Sequence, residues 1–201
     1  NLQPFPDDII TEFETLFYDY LWGSKTHKIK KSVITQKHIY GGQGMIDLKT
    51  VNVVQKLKWV KQYLNNHICM WGDTMEQLIP VENLNLFFRS NFNSKSMPKT
   101  TEFYSEVLKA LEFLRPNSDK IDVSKQFIFY NQHLTINIKL IYDKDLFDAG
   151  LWRSQDFFDT ANEIISFNEL KTRGVTNKSY MVWRSLVQKI KELKIQKTNV
   201  T

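Results

Sequence analysis

Apolar residues recur at intervals of three and four from Ile9 onward: Ile9, Phe13, Leu16, Phe17 and Tyr20 form one stripe and predict a helix running to about Leu21. Pro6 is tolerated at its start, and Asp7 and Asp8 complement the positive end of the helix dipole. Gly23 and Ser24 end it. Val53, Leu57, Val60 and Leu64 predict a second helix, opened by Asp47 as N-cap and ending near Leu64. Trp59 and Tyr63 fall away from that stripe with Asn52 and Lys56, so this helix has two faces that want partners.

From His67 to Lys99 the periodicity weakens, and the asparagines, serines and Pro98 predict connecting segments around short helical pieces. Phe103, Val107, Leu111 and Leu114 restore a helix over Thr100 to Leu114, stopped by Pro116. Residues 121–142 contain "FIFY" and "LTINIKLIY", whose β-branched and aromatic content predicts a short hairpin. Ser166 with Glu169, and Thr160 with Glu163, match a capping box, and only the first precedes a clear helical pattern. A last helix over about Asn177 to Leu193 presents Tyr180, Trp183, Leu186, Val187 and Ile190 to a core. The fold class expected is mainly α.

Composition narrows the chemistry. The chain of 201 residues, 42% hydrophobic, is long enough to bury a core and too apolar for wholesale disorder. Cys69 is the only cysteine, which excludes an intrachain disulfide and a multi-thiolate zinc site. His27, His38, His67 and His133 are scattered without ligand spacing, so neither metal nor cofactor is expected on this chain. No apolar run is long enough for a membrane span, and no secretory leader pattern opens the chain. It begins at Asn1 without methionine, which suits a fragment.

Charge changes the picture more. The net charge of +5 is modest, but it is sorted along the chain. Before Lys25 there are five carboxylates (Asp7, Asp8, Glu12, Glu14, Asp19) and no basic residue; from Leu21 to Ile46 there are five lysines (Lys25, Lys28, Lys30, Lys31, Lys37) and no carboxylate. Isoleucines and valines interleave with these lysines and can pin the segment while the ammonium groups project outward, which would make a phosphate track rather than a merely solvated face.

Three further motifs have a bland reading beside a chemical one. "FPDD", Phe5 to Asp8, matches the aromatic-x-Asp-Asp string of reverse transcriptases, yet a helical stripe follows it, so the acids read as helix initiators. "GGQG", Gly41 to Gly44, lacks Walker spacing and reads as a turn needing positive φ, a turn that can also bring backbone amides near a phosphate. Cys69 in "HICMW" reads as a buried thiol rather than a nucleophile. No catalytic residue is assigned.

"FYDYLWGSKTHKIKKSVI" and "GGQGMIDLKTVNVVQKLKWVKQYL" resemble the region just beyond the palm in LINE-type (non-LTR) retrotransposon reverse transcriptases. Tyr20, Leu21 and Trp22 match the family's aromatic helix end, Lys28 to Lys31 its basic stretch, Gly41, Gly42 and Gly44 its glycine turn, and Trp59 its tryptophan-bearing helix. "NQHLTINIKLIYDKDLFDAGL" and "SFNELKTRGV" extend the similarity more thinly through the second half. Gln43 departs from it, standing where the family has an apolar residue, and the endonuclease, fingers, palm and Cys/His knuckle are not on this chain.

The resemblance implies a thumb-like helical module with a basic loop over 1–72, a connecting segment over 73–99 and a helical connector over 100–201. It implies a non-catalytic piece of an RNA-directed DNA polymerase, whose partners are an RNA template, a DNA primer or target, and the palm and fingers of the parent protein, in the nucleus or cytoplasm. Lys25, Lys28, Lys30, Lys31 and Lys56 are its expected phosphate contacts, and Trp59 either stacks on nucleic acid or packs against a neighbouring element. Two other readings stand beside it. One is an autonomous helix-turn-helix module reading bases from Asn177, Lys178 and Ser179. The other is a structural domain with an incidental basic surface.

Overall fold

Pro6 and the carboxylates of Asp7 and Asp8 open helix α1 (Asp7–Trp22), and Gly23 closes it in the left-handed region at φ 57°. In the computed structural model, which describes residues 5–23, 29–65, 70–93, 96, 99–114 and 125–193, helices dominate and no sheet forms among the described residues. Further elements are α2 (Lys31–Thr35), a 3-10 turn (His38–Tyr40), α3 (Leu48–Leu64), α4 (Met70–Leu78), α5 (Leu84–Arg89), α6 (Glu102–Phe113), α7 (Lys144–Asp148), α8 (Phe167–Thr172) and α9 (Tyr180–Glu192). His27, His67 and Cys69 lie outside the described residues. Among the described residues no helix is long and apolar enough to cross a membrane.

The chain divides into two compact units, Asn1–His67 with Glu102–Ala110, and Ile68–Thr101 with Leu111–Thr201. This differs from the boundaries read from the sequence, because the first part of α6 returns to the N-terminal unit. The cause is side-chain chemistry: α6 supplies the carboxylate that pairs a buried lysine of α3, and Phe103 sets its ring edge-on to Trp59 at 5.8 Å.

In the first unit, α1 buries Ile10 and Tyr18 and half-buries Glu14 and Trp22, positions four apart on one face. The predicted stripe is not that face. Phe13, Leu16, Phe17, Tyr20 and Leu21 are all exposed. In α3 the two predicted faces merge into one broad contact surface: Lys56 and Val60 are buried, and Asn52, Val53, Leu57, Trp59, Tyr63 and Leu64 are half-buried. Asp47 sits at the N-cap position, but its carboxylate accepts the Thr50 hydroxyl at 2.6 Å rather than a backbone amide.

The second unit holds the larger apolar core. Helix α5 buries Leu84, Leu86, Phe87 and Phe88, which is why the region read as weakly periodic is structurally central: a short helix covered on several sides shows no stripe. Phe87 stacks on Phe92 at 4.2 Å and meets Tyr130 edge-on at 5.3 Å, and Tyr130 lies flat against Tyr142 at 5.3 Å. Asn83 caps α5 and Ser166 caps α8, accepting the Leu86 amide at 2.9 Å and the Glu169 amide at 3.3 Å.

The hairpin predicted over 121–142 does not form among the described residues. The amides of Ile128, Tyr130 and Gln132 donate to carbonyls of Trp152, Ile141 and Asn91, so consecutive outward amides reach three separate segments instead of one partner strand. Only an isolated bridge between Ile136 and Lys139 remains, closing a tight turn with Asn137 and Ile138 at φ 50° and 66°. Side-chain amides take over the cross-linking: Asn91 and Asn131 both donate to the Gln126 carbonyl, at 3.1 and 3.0 Å.

Burial pushes the Tyr130 hydroxyl up to about 12 from 10.0, opposed by the Asn83 backbone amide that donates to it. The unfolded chain therefore ionises first, and the stability held below about pH 10 is lost as pH rises toward 12, up to about 2–3 kcal/mol. Chemical denaturation of wild type and Tyr130→Phe between about pH 8 and 12 checks this: the variant should start slightly weaker and fall less steeply, and parallel curves would refute the assignment.

Candidate nucleic-acid interface

The basic segment is anchored at one residue and closed by its glycines. Ile34, in α2, is 1% exposed and is the only buried residue of that helix. Its carbonyl accepts the amides of both Gln43 and Met45 at 3.2 Å. The Gly44 amide reaches Gln36 at 2.8 Å, Gly42 reaches Lys37 at 3.2 Å, and Gly41 reaches His38 at 3.0 Å.

Each glycine has a separate reason to be one. Gly41 and Gly44 take φ of 81° and 64°, in the left-handed region. At Gly42 a Cβ would stand 2.0 Å from the Gln36 carbonyl oxygen. The run of amides from Gly41 to Met45 is wholly engaged by backbone carbonyls, so the turn has no free donors for a phosphate cradle. Its work is to fold the segment back on α2.

The expected phosphate contacts separate into distinct groups. Lys25 and Lys28 lie outside the described residues. Lys30, at the N-cap of α2, is exposed and has no ion pair among the described residues. Lys31 pairs with the half-buried Glu14 of α1, and its ammonium stands 5.9 Å from the centre of the Tyr18 ring. It fastens α2 to α1.

Lys56 is corrected outright as a surface contact. It is 7% exposed, and its ammonium donates to Glu106 at 3.1 Å, while Lys109 holds the other carboxylate oxygen at 2.8 Å. The Lys109 hydrogen bond lowers the Glu106 pKa most, against the cost of burying the carboxylate, and Lys56 adds to the lowering. Trp59 packs on Phe103, as the packing alternative expected.

Exposed cations that the sequence reading did not single out lie on α3. Lys58 and Lys61 are exposed on its solvent side, outside the arc that holds Lys56 and Val60, and carry no ion pair among the described residues. Their wheel positions, outside the arc that runs from Trp59 round to Leu57, were the available signal. Lys37 of the basic segment is likewise exposed and unpaired among the described residues. With Lys30 these make a set of free ammonium groups on the unit whose α1 carries only carboxylates.

The other candidate chemistry resolves differently. Asp7 and Asp8 occupy the first turn of α1, on a helix and not on the hairpin a polymerase metal pair needs. Among the described residues no cluster of three or more His, Cys, Asp or Glu is placed to hold a metal ion. Near the C-terminus, Ser179 is buried, and its hydroxyl donates to Asp143 at 2.9 Å, so it is not presented to a base edge. Asn177 and Lys178 are exposed.

No family model matches the chain, and no curated protein or solved structure matches it.

The glycine turn and the buried pair give separate predictions. Gly42→Ala should destabilise the protein by about 2–3 kcal/mol through backbone overlap, against about 1 kcal/mol for Gly41→Ala, where a side chain meets open space. Comparing urea midpoints decides; equal losses would contradict the close approach. Glu106→Ala strands a buried ammonium and should cost about 3 kcal/mol, whereas Lys56→Met should cost less than about 1 kcal/mol. Because the folded Glu106 carboxyl is held below 4.5, its contribution is present above that pH and lost as pH falls through the folded value. Acid titration of Glu106→Gln should then be flatter than wild type.

Proposed function

We propose that the chain is a non-catalytic piece of a non-LTR retrotransposon reverse transcriptase, gripping template and primer through backbone phosphates. Its ligands are then an RNA template and a DNA primer or target. Its protein partners are the palm and fingers of the parent RNA-directed DNA polymerase, acting in the nucleus or cytoplasm.

The observation that carries this reading is a group of exposed lysines in the N-terminal unit, Lys30, Lys37, Lys58 and Lys61 among them, that carry no ion pair among the described residues. Lys30 and Lys37 flank a backbone held by Ile34 and the glycine turn, so their ammonium groups start from fixed positions. Cations on a rigid backbone lose less freedom on meeting a phosphate strand than cations on a loose one. Lysine is a point charge without a planar fork, suited to tracking phosphates and poorly suited to reading bases. The buried Ser179 disfavours the helix-turn-helix reading, whose base contacts included it.

Binding to an RNA–DNA duplex, measured by anisotropy across a salt series, tests the reading. Wild type should bind with a steep salt dependence and little sequence preference. Changing Lys30, Lys37, Lys58 and Lys61 together to glutamine should reduce the slope of log affinity against log salt by about 0.9 per lost contact. Lys31→Gln should lower stability and leave the slope alone. A folded quadruple variant with an unchanged slope, or a wild type that ignores nucleic acid at low salt, would overturn the proposal.

A further inference from the structure

The outward face of α1 is apolar and uncovered. Phe13, Leu16, Phe17 and Tyr20, at spacings of three, one and three, are between 49% and 89% exposed. A stripe of this kind on a helix that already buries another, adjoining arc marks an interaction surface. At 100° per residue, Asp8, Glu12 and Asp19 line one edge of it, and none of them has an ion pair among the described residues. Phe13 also belongs to the wall of a cavity of about 400 Å³ formed with Phe5, Val51, Trp59 and Phe103. Stripe and cavity are therefore continuous.

We infer that this face of α1 docks a partner protein through an amphipathic helix that has an apolar stripe bordered by lysine or arginine, with one bulky apolar side chain entering the cavity. Charge complementarity selects this occupant. The carboxylate edge repels nucleic-acid phosphates and anionic lipid headgroups, and it faces a cationic rim favourably. It also opposes a second copy of α1, whose edge carries the same three carboxylates. The cavity supplies what a helix-in-groove contact needs at its centre, a desolvated pocket for an anchor side chain. None of the lysines of the proposed phosphate grip is on α1, and the inference does not rest on that reading.

The test uses the full chain and two labelled synthetic helical peptides, one with leucines on one face and lysines along the edges, the other with glutamates in place of the lysines. Fluorescence anisotropy should show the lysine peptide binding about 10-fold or more tightly than the glutamate peptide. Leu16→Ser with Tyr20→Ser, both at exposed positions, should abolish binding with helix content by circular dichroism unchanged. Asp8→Asn, Glu12→Gln and Asp19→Asn together should remove the preference between the peptides. Equal binding of the two peptides by wild type would overturn the inference, as would binding that survives Leu16→Ser with Tyr20→Ser. Sedimentation showing a wild-type dimer that this double variant dissolves would assign the face to a second copy instead. Wild-type binding to phosphatidylserine vesicles lost in the same variant would assign it to a lipid surface.

Discussion

An ammonium group without water must have a carboxylate, and in the N-terminal unit that requirement ties α3 to α6. Lys56 is buried on the contact face of α3, and Glu106 reaches it from a helix 50 residues further along the chain. Lys109 steadies the second oxygen of Glu106, so the carboxylate stays ionised although it is partly desolvated. The pair does not add much stability relative to an apolar pair of the same volume, but a misdocked α6 would leave a charge stranded. Trp59 and Phe103 meet on the same two helices and supply the apolar contact that surrounds this constraint.

The same unit sorts its charges, and the sorting has internal and external consequences. Lys31, itself exposed, pairs with Glu14 and lies over Tyr18, joining the acidic helix to the start of the basic segment. Lys30, Lys37, Lys58 and Lys61 are left outside with no partner among the described residues, and so are the carboxylates along the edge of α1. Opposite charges on different elements of one unit suit two kinds of ligand. The proposed polyanion would meet the lysines, and the inferred cationic helix would meet α1.

The C-terminal unit is built another way. Aromatic rings fill its core, and its irregular chain is held by polar side chains rather than by a sheet ladder. Asp143 caps α7, and Asp145 accepts the Thr176 hydroxyl at 2.6 Å, so two acids of one short helix fix the turn that leads into α9. Hydrogen bonds to Thr176 foremost lower the Asp145 pKa, with Ser179 and Lys178 contributing.

Much of the helical layout was legible in the sequence, because start signals, stop signals and periodicity are local. Pro6 and Gly23 bracket α1, α3 spans the predicted range, and the glycine turn sits where positive φ is needed. What the sequence did not determine is which face each helix buries. Periodicity shows that Phe13, Leu16, Phe17 and Tyr20 share a face, but whether that face is covered depends on what the rest of the chain places against it, and Ile10 and Tyr18 are covered instead. The fates of Lys31 and Lys56, the return of α6 to the first unit and the dispersal of the expected hairpin were likewise decided only by tertiary structure. Each depends on a pairing choice between groups distant in sequence, where several partners of equal local merit compete and only packing selects one.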